Sequence, residues 1–337
     1  MSVRFRSGSI ARLGRGAGLI VFAACVILSG GCERQSDVKV LTLAHNLDTG
    51  HTVHKAMLLM GERLEAYSDG QLAIAIYPGG QLGSERENLE LLQIGSLAMT
   101  KVSASPLEGF VPELKVFNLP YIFANREHHL RVLDSPIGKG LLESLQVARL
   151  YGLGYYDAGS RSFYTSDRPV NSPEDLRGMK IRVMKSQTAV RMVTELGGSP
   201  TPISLGEIYT ALQQGVVDGA ENNAPSFYRL RHYEAARYYS LDEHTFVPDV
   251  LIMSKRIWDD LTANEQEWLS QAVDDSVKYQ RELWLAETDA SLAAVADAGV
   301  TISYPDKEPF RAAVQAMKGG FEGTRTGEIL RAIEEME

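Results

Sequence analysis

The residues best placed to do chemistry are a lone arginine and a cluster of amides. Arg177-Gly178-Met179-Lys180-Ile181-Arg182-Val183 reads as a turn into a short strand with a guanidinium inside it. Burying that charge in an apolar strand is costly unless an anion meets it. A guanidinium fork holds a carboxylate by two parallel hydrogen bonds. Arg182 is therefore a candidate anchor for a small carboxylate ligand, with an internal salt bridge to Asp or Glu as the alternative. Further on, Val216-Val217-Asp218-Gly219-Ala220 reads as a strand followed by Glu221-Asn222-Asn223. Ligands of open α/β sheets lie beyond the carboxyl ends of strands, which brings Asn222 near Arg182. Asn223 faces either the cleft or the core. Glu207, at a helix start, either favours the helix dipole or contacts Arg182 or the ligand. His45, His51 and His54 fit no zinc spacing and no cysteine joins them, so no metal is expected. His51 is a candidate ligand contact.

Enzyme chemistry finds little support. The chain has no Gly-x-Ser-x-Gly elbow, no phosphate loop and no dinucleotide fingerprint. Gly79-Gly80-Gln81-Leu82-Gly83 follows a strand and precedes a helix but lacks the Lys-Ser/Thr of a phosphate loop. Acids are plentiful, yet no arrangement singles out a hydrolytic pair. No cofactor is implied.

The elements that must position these residues alternate. Val38–Ala44, Leu72–Tyr77, Leu97–Thr100, Leu150–Tyr156, Phe163–Thr165 and Ile181–Met184 read as strands. His51–Asp69, Glu85–Ile94 capped by Ser84, Gln187–Leu196 and Ser204–Gln214 read as helices, and Ser172-Pro173-Glu174-Asp175 as a helix entry. The order predicts an α/β fold with a largely parallel sheet. Thr262-Ala263-Asn264-Glu265 is a capping box opening a proline-free helical stretch to Ala298. At the usual rise that helix spans about 50 Å, enough to brace two domains. Tyr155, Tyr156, Phe163 and Tyr164 are expected mostly in the core.

The first 31 residues read as an export signal: Arg4, Arg6, Arg12 and Arg15, an apolar run from Ala17 to Leu28, then small residues before Cys32. Cys32 is a candidate lipidated N-terminus, although Leu28 stands four places before it rather than three; ordinary cleavage nearby is the alternative. Without that leader the chain keeps 30 basic and 43 acidic residues, a net charge of −13. That balance argues against nucleic acid and against an acidic membrane surface as partner. Both cysteines, Cys25 and Cys32, lie in or at the end of the leader, so stability rests on the core, and the length suggests two domains.

Five motifs in order resemble those of the solute-binding proteins of tripartite ATP-independent periplasmic (TRAP) transporters. They are Tyr77-Pro78-Gly79-Gly80-Gln81-Leu82-Gly83, Phe117-Asn118-Leu119-Pro120-Tyr121-Ile122-Phe123, Leu176 to Val183, Glu207 to Gln213, and Val216 to Asn222. The resemblance implies a two-domain clamshell of the periplasmic-binding-protein type. It implies lobe I at 38–159 plus 248–287 and lobe II at 160–247 plus 288–337. It implies Arg182 as the carboxylate-binding arginine, Arg161 as a second cleft arginine, Asn222 as a cleft amide and Asn46 as a polar loop residue. The implied partners are an organic acid and a membrane permease in the periplasm. Leu205 and Ser103 fall where sialic-acid binders carry an aromatic and a carboxylate, which argues against sialic acid. His45 to His51 and Glu221-Asn222-Asn223 look similar to uronate binders, with Asn46, Asp48, His51, Asn222, Asn223 and His244 available to read hydroxyls. A C4-dicarboxylate or keto acid is the alternative ligand, with Arg161 meeting a second carboxylate. An envelope carbohydrate-active hydrolase is the competing class. A sensor is disfavoured because the chain ends at Glu337 with no signalling module.

Overall fold

The computed structural model describes residues Val38–Glu337; the expected export signal and the lipidation site Cys32 lie outside the described residues. The strands are β1 (Lys39–Ala44), β2 (Leu72–Tyr77), β3 (Met99–Ser103), β4 (Leu150–Tyr156), β5 (Ser160–Thr165), β6 (Lys180–Val183), β7 (Ser199–Pro202), β8 (Gly219–Asn222), β9 (Tyr238–Phe246), β10 (Asp249–Ser254) and β11 (Thr301–Ser303). They form two sheets, β2-β1-β3-β10-β4 and β11-β9-β5-β8-β6-β7. The fold is a two-domain α/β clamshell built on these two sheets.

The sheets are mixed rather than largely parallel. β1 pairs in parallel with β2 and β3, and β6 with β7 and β8. β10 is antiparallel to β3 and β4, and β5 is antiparallel to β8 and β9. β5 and β10 each follow a short crossing from the other sheet, whereas β11, which returns to the sheet of β5 after the long helix, is parallel to β9.

The strand expected at Val216–Ala220 is displaced to Gly219–Asn222. Val216 and Val217 donate instead to the Ala211 carbonyl, closing the helix Ile208–Gln213. Glu221 and Asn222 consequently lie within β8, opposite Phe163 and Ser162 of β5, rather than beyond its end. The helix expected from Ser204 opens as a 3-10 turn, Leu205–Glu207, and the Ser172 entry yields only the single turn Pro173–Leu176. Tyr155, Tyr156, Phe163 and Tyr164 are all buried hydrophobic core.

The long helix, Ala263–Asp297, has the expected Thr262/Glu265 capping box. It packs along the helix Thr52–Tyr67 and also against Ala224–Arg229, so it touches elements beside both sheets. It also fastens the crossing from β4 to β5. The Gln280 amide accepts from Asp157 N at 2.9 Å and donates to Asp157 O at 2.7 Å. The Asp157 carboxylate accepts from Gly159 N at 2.8 Å and from Arg126 Nε at 2.5 Å. Gly159 has φ +59°, and a Cβ there would stand 2.8 Å from Trp284 Nε1, so this position needs glycine. Gln280→Ala strands both backbone groups of Asp157. At about 1–3 kcal/mol for each of the two orphaned buried groups, the variant is expected to lose about 2–6 kcal/mol in urea unfolding of the ligand-free chain. A loss below about 0.5 kcal/mol would mean the clasp contributes nothing.

Candidate ligand-binding cleft

Arg182 lies in β6 and is 2% exposed. Its Nε donates to Ile203 O at 2.8 Å, while Nη1 is buried with no hydrogen-bond partner. Among the described residues no Asp or Glu pairs with it. Burial pushes this guanidinium below its ordinary value, and the more distant Glu221 only partly offsets that. Such a group can receive an anion through the N–H groups it has left.

Arg161, on β5, is the opposite case. Nε donates to Glu221 Oε2 at 2.5 Å, Nη1 to Asn222 Oδ1 at 2.7 Å and Nη2 to Glu221 O at 2.7 Å. Two of its five N–H groups remain for anything else. Burial alone would lower its pKa, and the Glu221 charge and hydrogen bond reverse that. The chain continues backward: His244 Nε2 lies 3.6 Å from Glu221 and Nδ1 2.8 Å from Asp242. Burial alone would lower His244, but Asp242 and Glu221 hold it up at about 9. Burial alone would raise Glu221, but Arg161 and His244 hold it down at about 2. Arg161 thus lines the cavity as a second cleft arginine, its charge matched by Glu221.

The cavity beside these arginines has a volume of about 40 Å³. His51, Lys101, Ser103, Leu205, Asn222 and Asp249 line it with Arg161 and Arg182, so both sheets contribute. A smaller cavity of about 30 Å³ also touches Arg182 and Leu205 and is lined by Asn46. His51 caps the helix Thr52–Tyr67, its Nδ1 accepting from Val53 N at 3.2 Å. Burial, first, and the nearby cations keep it neutral. Its Nε2 therefore carries the proton, and that atom is buried without a partner. Asn46 donates to Gly83 O at 2.9 Å and leaves Oδ1 without one. The Asn222 amide oxygen is taken by Arg161 and by Asn223 N, which leaves its amino group.

Three expected site residues are engaged elsewhere. Asn223 borders the cavity, but its amide caps the helix Ala224–Arg229 at Ser226 N and donates to Ala158 O. Asp48 accepts from Gly50 N at 2.7 Å in a turn beside Arg229 and is absent from the cavity lining. Glu207 is exposed and accepts from Ser204 N at 3.2 Å, completing a capping box. Its place on the first helical turn explains it without a ligand.

The sequence reading missed Lys101, Glu85 and Asp249. Lys101 is 2% exposed, 3.0 Å from Asp249 and 3.6 Å from Glu85. Burial alone would lower Lys101, and those two acids reverse the shift. The signal was present: a lysine inside Met99-Thr100-Lys101-Val102 poses the question that Arg182 poses, but the strand was ended at Thr100.

Residues 43–321 match the model of bacterial extracellular solute-binding protein family 7, DctP. The chain belongs to this family. It is 40% identical to the Salmonella typhimurium protein YiiZ over 305 residues, 90% of this chain and 93% of that one. A crystal structure of a TRAP periplasmic solute-binding protein from a Bradyrhizobium species, in complex with D-galacturonate, is 41% identical. It superposes with a TM-score of 0.86, covering 88% of this chain and 100% of that one. A second, from Anaerococcus prevotii with bound D-glucuronate, is 37% identical with a TM-score of 0.86, covering 88% and 98%. This is a TRAP solute-binding protein.

The Asp242–His244–Glu221–Arg161 chain makes a pH test. The folded pKa of His244 is raised from 6.5 to about 9. Its contribution to stability is complete below 6.5 and is lost as pH rises through 9. Urea unfolding across that window should show stability falling in the wild-type chain and a flatter profile in His244→Gln. Equal slopes would show that His244 is not charged in the fold.

Proposed function

We propose that this chain captures a hexuronate, such as galacturonate or glucuronate, outside the cytoplasm and delivers it to a TRAP membrane permease. The observation that carries the reading is the buried, acid-free guanidinium of Arg182 beside a cavity rimmed by hydroxyl readers. Arg182 takes the carboxylate. The His51 Nε2 proton and the Asn222 amino group donate to ring oxygens, and Asn46 Oδ1 accepts. Lys101, Glu85 and Asp249 offer a donor and acceptors at the same wall. The uronates bound by the related Bradyrhizobium and Anaerococcus proteins support this ligand class.

A C4-dicarboxylate fits less well. Its second carboxylate needs another unmatched cation, and Arg161 and Lys101 already face Glu221, Asp249 and Glu85. Leu205 and Ser103 both line the cavity, where the resemblance places an aromatic and a carboxylate in sialic-acid binders. The lobes are 38–159 plus 248–287 and 160–247 plus 288–337. Ligand touching both favours the shut state by differential affinity. The chain is not an enzyme, and its anchor to the membrane is a lipidated Cys32 reached through the leader.

Calorimetry with D-galacturonate tests the anchor. Arg182→Ala should weaken binding by at least about 2 kcal/mol, roughly 30-fold, and Arg182→Lys, which keeps charge but loses the fork, by less. Near-wild-type affinity in Arg182→Ala rejects the role. Incubation with uronic-acid oligomers should release no new reducing ends; their appearance would favour the hydrolase.

A further inference from the structure

A cavity of about 270 Å³ lies behind the crossing segment, away from Arg182. Asn223 lines both this cavity and the cleft. Ala158 faces the cleft, whereas Gly159 and Ser160, the next residues along, face the rear cavity. The crossing segment is therefore a partition with a chamber on each side.

The rear chamber is walled by Tyr121, Tyr239, Phe246, Trp284 and Leu292. Its lining cations are Arg126, Lys307 and Arg311, against the single acid Glu243. Arg126 is paired with Asp157, and Lys307 with Glu243. Arg311 lies 5.2 Å over the Tyr121 ring, and its pairing acid is Glu308 at 3.5 Å, 78% exposed. A pair with so exposed a carboxylate is weak and easily exchanged. Apolar walls with one available guanidinium at the edge are the usual make-up of a small-molecule site.

We infer that this chamber is a second ligand site, for a small amphipathic carboxylate. The flat apolar body lies against Trp284 and Leu292, and the acid group meets Arg311. The two chambers share the partition of Ala158, Gly159, Ser160 and Asn223, so a ligand that fixes it on one side favours binding on the other, and the effect is reciprocal. The coupling rests on the uronate reading; the rear binding does not.

Phenylacetate is the probe, titrated by calorimetry into the full chain. It should bind Arg182→Ala as it binds wild type, weaken at least ten-fold in Arg311→Ala, and be lost in Thr288→Trp, which fills the chamber. Thr288 is half-buried and lines the chamber, and Arg311 is exposed, so Arg311→Ala tests the site without disturbing the core. Saturating phenylacetate should tighten galacturonate binding three-fold or more. No binding to wild type at millimolar probe, loss of binding in Arg182→Ala, or indifference to both rear variants overturns the site. Probe binding without a change in galacturonate affinity overturns the coupling. If galacturonate itself fails to bind, the uronate reading falls, and the three phenylacetate arms still decide the rear site.

Discussion

A buried guanidinium is costly unless an anion answers it, and this fold buries two, of which one is answered from within. Arg161 is matched from within: Glu221 on the facing strand takes its charge, and His244 and Asp242 extend the matching inward. Arg182 is matched by nothing acidic among the described residues and keeps an orphaned Nη1. Desolvating an uncompensated charge costs several kcal/mol, which an arriving carboxylate recovers. The proposed function rests on that difference: Arg161 is matched within the wall, and Arg182 is the one proposed to take the ligand's carboxylate.

The architecture serves this asymmetry. β5 carries Arg161 and β6 carries Arg182, in one sheet, while Lys101 lies on β3 of the other sheet and His51 caps the helix Thr52–Tyr67. The proposed ligand site draws on both sheets. Two of the crossings between the sheets, β4 to β5 and β9 to β10, are short, and the first is clasped by Gln280 and Trp284 of the long helix. The same helix packs against Thr52–Tyr67 and Ala224–Arg229, so it ties the crossing to elements beside both sheets.

What the sequence disclosed and what it hid follow from range. Local hydrogen-bond devices were readable: the Ser84/Glu87 and Thr262/Glu265 capping boxes stand where the residue spacing put them. Arg182 was readable because a charge in an apolar strand demands an explanation on its own. The partner of Arg161 was not, because Glu221 meets it across a strand pairing sixty residues away. The same pairing pulled β8 two residues and more along the chain, since sheet partners and a buried charge outweigh the β propensity of Val216 and Val217. For Asn223 and Glu207 the sequence leaves a ligand contact and a local role both open, because it shows their polarity but not the surrounding fold that sets the helix ends they serve.

The most direct test is a crystal structure of the chain grown with D-galacturonate. The account predicts the sugar's carboxylate in a two-bond contact with the Arg182 fork, with the Arg161–Glu221 pair unbroken. A carboxylate seated instead on Arg161 with Glu221 displaced, or on Lys101 with Arg182 untouched, would contradict it.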